Sequence, residues 1–149
     1  MDNISIKKAN VSHLSQIEEI EKTLKHRNLS YDSIKKDLEN TNAYYLVAVD
    51  EIENKVIGYI GSELLVDHAD ITAVATHKNH LKQGIATLLL NTLEKVLKDR
   101  NIDSIFLEVR TSNTPAINLY TKIGYNNISI RTKYYDNLED ANIMKKDLI

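Results

Sequence analysis

The 149-residue sequence predicts a three-layer α/β (α+β) fold, with a mixed central sheet of about seven strands and about four helices. Two features predict it. Apolar runs that alternate or carry β-branched and aromatic residues recur along the chain, and apolar spacings of three and four lie between some of them. Two strands are joined by a short polar turn while others are separated by helical stretches, so hairpins mix with strand–helix–strand units. No linker, repeat or low-complexity stretch interrupts the chain, and a single domain over residues 1–149 is expected.

Residues 3–8 (NISIKK) alternate and read as the first strand. Ser12 is expected to cap a helix whose apolar face carries Leu14, Ile17, Ile20 and Leu24. A second short helix follows Ser30, with Ile34 and Leu38 on one side. Residues 44–49 (YYLVAV) form a strand, residues 50–55 a hairpin turn, and residues 56–65 the return strand. Gly58 and Gly61 within it suggest a bulge or a close backbone approach. Residues 71–76 (ITAVAT) are the next strand. The helix after it carries Ile85, Leu88, Leu89, Thr92, Leu93, Val96 and Leu97 on one stripe, with Asn101 at its C-terminal end. SIFLEVR is a strand, and Thr114-Pro115 starts a helix that stops at Gly124. Residues 125–132 and 141–148 are the last two strands.

Composition excludes several classes. The chain has no cysteine, so a disulfide scaffold, a thiolate metal site and a cysteine nucleophile are all ruled out. Lys and Arg number 19 against 21 Asp and Glu, which gives no general electrostatic grip on nucleic acid. The longest apolar runs are about five residues, against the ~18 of a membrane span. MDNISIKKAN lacks the apolar stretch of a secretory signal, and a soluble, cytoplasmic protein is expected. The five histidines show no metal-ligand spacing, and no metal is expected.

Two constellations carry chemistry. In AVATHKNHLKQGIA a strand ends, a short loop carries Gly84, and a long helix begins. The unpaired N–H groups and partial positive charge of a helix start suit a phosphate, and Lys82 adds a cation; the same pattern also serves as a plain tight turn. The second lies between Glu108 and Tyr120. Ile105, Leu107 and Val109 share one strand face, while Phe106, Glu108 and Arg110 share the other. A carboxylate there needs either an ion-pair partner or a chemical task. Tyr120 lies on the helix stripe with Ala116, Ile117 and Ile123, and Asn113 precedes that helix as a turn or a cap.

Taken together, LKQGIA, LEVRTSNTPAINLYTKIGY and IRTKYYDNLEDANIM resemble the GNAT family of N-acetyltransferases, most closely the bacterial RimI type. Those enzymes modify the N-terminal alanine of a small-subunit ribosomal protein. The resemblance is strongest over residues 70–144 and implies the three-layer fold of that family, acetyl-CoA as co-substrate and direct transfer in a ternary complex. It implies backbone contacts to the cofactor at Val74, Ala75 and Thr76. Its phosphate loop falls on Lys82, Gln83, Gly84, Ile85, Ala86 and Thr87, with a further cofactor contact at Asn113. It assigns the general base to Glu108 and the general acid to Tyr120. Strand splaying beside residues 74–76 is a further implication of the family.

The chain departs from that pattern at three places. Leu81 stands where Gln or Arg is usual, Ala73 replaces a polar residue, and Arg27-Asn28-Leu29-Ser30 lacks the Pro-Trp frequent in the RimI substrate loop. Tyr134 and Tyr135, with Glu139 and Asp140, are candidates for acceptor binding, because aromatics beside carboxylates suit a cationic N-terminus. The expected partner is a peptide N-terminus, with a ribosomal protein as one instance, and no nucleic acid or membrane. The protein is expected as a monomer or weak homodimer. Two other readings stand beside this one: acetyl transfer to a small amine such as a polyamine or aminoglycoside, and a non-catalytic acyl-CoA-binding module.

Overall fold

The computed structural model describes residues 3–135 and 139–149. Its strands are β1 (Ile4–Lys8), β2 (Ala43–Asp50), β3 (Lys55–Leu64), β4 (His68–Thr76), β5 (Ser104–Arg110), β6 (Asn126–Arg131) and β7 (Ala141–Asp147). The helices are α1 (Leu14–Lys22), α2 (Tyr31–Leu38), α3 (Ile85–Asp99) and α4 (Thr114–Lys122). Order and type follow the sequence pattern, with three local differences. The cap before α1 is Asn10, whose side chain accepts from the Ser12 N–H at 2.9 Å, so Ser12 is the capped residue and not the cap. A single 3-10 turn over Val11–His13 leads into that helix. Finally, β4 begins at His68, three residues before its β-branched run. Those residues are extended because β5 pairs with them from His68↔Ser104 to Ile71↔Leu107.

The seven strands form one sheet in the order β1-β2-β3-β4-β5-β7-β6. Every neighbouring pair is antiparallel except β4 and β5, which the α3 crossover makes parallel. One core lies between the sheet and α3, where Ile85, Leu89, Leu90, Leu93 and Leu97 meet Ile57, Ile60 and Ile105, with Ile117 and Tyr120 of α4 packed against it. The other lies beneath α1 and α2, where Ile17, Ile20 and Ile34 meet Val47, Tyr59, Ala73 and Ala75. On α3 the buried stripe is wider than its apolar pattern: Leu90 is inside, and so is Glu94, whose carboxylate takes the Lys146 Nζ at 2.6 Å.

Both glycines of β3 have the role foreseen for them. Register slips beside Gly58 and again beside Gly61, where Gly61 faces Ala73 but Ser62 faces Ile71, leaving Thr72 as the extra residue of β4. A Cβ at Gly61 would fall 2.7 Å from Tyr45 Cζ and 3.1 Å from Thr72 Oγ1. The bulge reverses the facing of β4: Ile71 and Val74 pack toward α3, Ala73 and Ala75 toward α1 and α2. Asn101, at φ 62°, is the left-handed residue that ends α3.

Candidate active site

Beyond the Ile71↔Leu107 pair, β4 and β5 stop pairing although both strands continue, to Thr76 and Arg110. The bulge at Thr72 coincides with this divergence, and a bulge bends its strand. The His77 N–H donates to the Ile57 carbonyl at 2.8 Å. Alternation along β4 therefore turns Ala75 toward β3 and points the backbone N–H and C=O of Val74 and Thr76 toward the opening. A cleft of about 1130 Å³ lies over this part of β4 and β5, walled also by the α1–α2 loop and the β6 end of the sheet.

Into that cleft the fold brings Glu108, Tyr120, Asn113, Val74, Tyr134 and Tyr135. Ala75, Thr76 and residues 82–87 lie outside its lining, where β4 passes into α3. There Lys82 and Gly84 both take positive φ, 61° and 81°, and Gly84 opens the helix. The first intrahelical bond runs from the Leu88 N–H to the Gly84 carbonyl at 3.0 Å, so the N–H groups of Ile85, Ala86 and Thr87 have no partner within the helix. The macrodipole of the 15-residue helix adds partial positive charge at the same end. Together with the opening beside Val74 and Thr76, these groups fit an anionic co-substrate whose pyrophosphate sits on a helix start and whose chain runs along a strand edge. Leu81 is 56% exposed and brings no polar contact of its own.

Glu108 is held by two groups from the β6 end of the sheet. Its Oε1 pairs with Arg131 Nη1 at 3.1 Å, and it accepts a hydrogen bond from the Tyr134 hydroxyl, which raises the Tyr134 pKa. Tyr120 is half-buried and packs on Tyr125, ring centroids 5.9 Å apart. Loss of hydration, with a smaller contribution from Tyr135, pushes its hydroxyl up to about 12, so it keeps its proton at neutral pH. Tyr135 is likewise pushed up to about 12, by burial first and by the charge of Glu108 second. Its ring receives the Arg110 guanidinium at 4.0 Å, while Arg131 lies 4.8 Å over Tyr134. Asn113 is the cap of α4: its side-chain oxygen accepts from the Ala116 N–H at 3.3 Å.

Glu139 and Asp140, expected at the acceptor end, lie outside the cleft lining and brace the loop instead. Glu139 pairs with Arg110 at 3.3 Å and accepts from the Ser112 N–H at 2.9 Å, and Asp140 accepts from the Lys133 N–H at 2.9 Å. The α1–α2 loop, where the resemblance put the substrate loop at Arg27–Ser30, lines the cleft from Leu24 to Leu29. Sequence reasoning missed three contributors, Glu63, Asp70 and Arg131. Asp70 stood just before the expected ITAVAT strand, and only the extension of β4 back to His68 puts its carboxylate inside a strand. Its pKa is raised, mainly by burial and partly by Glu108, with His68 acting in the opposite direction. Arg131 had no local signal, because it reaches Glu108 only through the β5-β7-β6 order.

The parting of the parallel pair beside a helix start is the strand splaying that the resemblance implies. Residues 11–125 match the acetyltransferase (GNAT) family, and the chain belongs to that family. It is an N-acetyltransferase with acetyl-CoA as donor. An N-alpha-acetyltransferase of Sulfurisphaera tokodaii is 31% identical over 96% of this chain and 92% of its own length. The ribosomal protein bS18-alanine N-acetyltransferase of Escherichia coli is 36% identical over 60% of this chain and 63% of its own. The crystal structure of the Escherichia coli ribosomal-protein-S18-alanine N-acetyltransferase superposes with a TM-score of 0.89 at 25% identity, covering 97% of this chain and 94% of that one.

Proposed function

We propose that this protein acetylates the N-terminal α-amine of a protein, in the manner of the RimI-type enzymes, with a ribosomal protein beginning in alanine as the expected acceptor in the cytoplasm. The observation that carries this reading is the parting of β4 from β5, which puts Glu108 and Tyr120 in one cleft beside the free backbone edge of Val74 and Thr76. The N-alpha-acetyltransferases that align along nearly the whole chain support the choice of acceptor atom.

Acetyl-CoA supplies a thioester activated toward an amine. The amine must be neutral to attack, and an α-amine with a pKa of roughly 7.7–8.0 is far easier to deprotonate than a lysine at about 10.4. Glu108 receives the proton, directly or through a water. The arginine that pairs with it is half exposed, so the pair is screened and leaves the carboxylate able to act as a base. A backbone N–H at Val74 or Thr76 donates to the oxygen on which negative charge develops. Tyr120, protonated at neutral pH, gives its proton to the departing sulfur. Ile85, Ala86 and Thr87 hold the pyrophosphate through backbone N–H groups, with Lys82, Gln83 and Gly84 shaping the approach; Ala75 and Asn113 complete the cofactor side. Tyr134 and Tyr135 form the aromatic wall for the first acceptor residues.

The test is release of coenzyme A from acetyl-CoA with a six-residue peptide beginning Ala-Arg, followed by intact mass. One added acetyl, abolished when the peptide's N-terminus is blocked, is the expected result. Turnover on spermidine with silence on the peptide would overturn it.

A further inference from the structure

Glu21 is a fully buried carboxylate that the chemistry above does not use. A buried carboxylate is costly unless its lone pairs are occupied, and here they are. One oxygen accepts from the Asn28 N–H at 2.8 Å and the Leu29 N–H at 3.3 Å. The other accepts from the Asn28 side-chain amide at 3.1 Å and the Tyr59 hydroxyl at 2.6 Å. Three of these donors belong to the α1–α2 loop, and the fourth stands on β3. That loop is the wall of the cleft from Leu24 to Leu29, while Glu21 itself is not part of the lining.

Among the described residues the loop's other tie to the sheet is apolar, through Leu24 and Leu29 packed on the core beneath α1 and α2. Residues 23–30 contain neither proline nor glycine to fix their path. Among the described residues Arg27 bonds to Glu18 of α1 and to the Leu29 carbonyl, 2.9 Å from its Nη2, and not to the sheet. Tyr59, by contrast, is anchored in the sheet. It stacks on Tyr45 with ring centroids 6.1 Å apart, and the Tyr45 hydroxyl donates to Asp37 of α2 at 2.5 Å. The Glu21 carboxylate is the junction between that rigid stack and the loop backbone.

We propose that Glu21 is the positioning residue of the acceptor wall: by clamping Asn28 and Leu29 to Tyr59 it sets affinity for the acceptor and leaves the acetyl-CoA side untouched. The inference rests on the acceptor reading given above. Glu21→Gln removes the charge and puts an amide N–H₂ against a donor. Losing charge-assisted hydrogen bonds of this kind corresponds to roughly tenfold or more in acceptor KM. Expected with it are a kcat at saturating peptide and an acetyl-CoA KM within about twofold of wild type. Tyr59→Phe removes only the sheet end of the clamp and should raise acceptor KM in the same direction by a smaller factor. It carries the test if Glu21→Gln does not fold.

Amide hydrogen exchange supplies a readout that needs no acceptor. Exchange at Asn28 and Leu29 should quicken in both variants while residues 74–87 keep their wild-type rates. Wild-type inactivity on peptides would refute the acceptor reading alone, since the exchange arm still decides the clamp. Unchanged exchange at Asn28 and Leu29, or a fall in kcat or acetyl-CoA affinity with acceptor KM unmoved, would overturn the role of Glu21.

Discussion

Adding one methyl group at Gly58 should disturb both stability and the cofactor end of the cleft. A Cβ there would lie 2.8 Å from Ile85 Cγ2, 3.2 Å from the Ala75 carbonyl oxygen and 3.4 Å from Leu89 Cδ1. The first contact is far inside van der Waals distance, and the second is backbone that β3 itself fixes in register. Ile85 is the first residue of α3 and is buried, so the relief available is a shift of the helix start away from the sheet. Overpacking of this kind costs about 1–3 kcal/mol, which lowers Tm by roughly 3–9 °C at this chain length. Because the displaced turn carries the free N–H groups of Ile85, Ala86 and Thr87, coenzyme A binding should weaken as well. Thermal unfolding by circular dichroism and titration calorimetry with coenzyme A read the two effects. A double-mutant cycle isolates the cause. Ile85→Ala removes the clashing methyl and by itself costs about 2–5 kcal/mol. Adding Gly58→Ala to that background should then cost clearly less, a coupling of about 1 kcal/mol or more, with the Ala75 carbonyl contact as the remainder. An additive cycle, or a Gly58→Ala variant with wild-type Tm and coenzyme A affinity, would refute the reasoning.

The remaining predictions concern the chemistry and the pH response. Tyr120→Phe should cut kcat by roughly 10²-fold or more while coenzyme A affinity stays within about twofold, because a positioned acid acts only in the transfer step; equal losses in both would make Tyr120 a packing residue alone. Glu108→Gln should likewise cut kcat by roughly 10²-fold, and Arg131→Ala, which frees the carboxylate, should leave kcat well above that of Glu108→Gln in the same coenzyme A release assay. His77 is buried, and its pKa is lowered from 6.5 by burial first and by Lys55 second. A depressed histidine adds stability that is complete above about 6.5 and is lost as pH falls through that value toward the folded one. His77→Asn, which can still accept from the Asn79 N–H, should therefore flatten the fall in Tm between pH 7 and pH 5.

Most of the fold was legible because its signals are local. The β-branched strand at residues 44–49, the unbroken stripe of α3, Ser30 at the start of α2 and Asn113-Thr114-Pro115 at the start of α4 each depend on neighbours within a few residues. Where reading failed, the cause was tertiary. Asn10 and Ser12 are both competent caps, and the 3-10 turn over Val11–His13, which takes in Ser12, decided which one accepted. Nothing local in the sequence marks Glu94 as buried, because its partner Lys146 arrives from β7. Glu139 and Asp140 share the composition of a cation-binding turn, yet backbone N–H groups at Ser112 and Lys133 reach them first.

For the site, the one-dimensional pattern supplied the types and positions of the reacting groups: a carboxylate inside an apolar strand, a tyrosine on a core-facing helix stripe, a glycine at a helix start. It also placed a glycine pair in β3 as a bulge or a close approach. What it could not supply is the opening itself. That depends on Gly61 making room beside Tyr45 and Thr72, on the bulge where β4 parts from β5, and on the α1–α2 loop whose backbone Glu21 ties to Tyr59 of β3. Chemistry resides in single side chains and can be read from their order. The cleft is a relation among strands that are distant in sequence, and only packing of the folded chain sets their spacing.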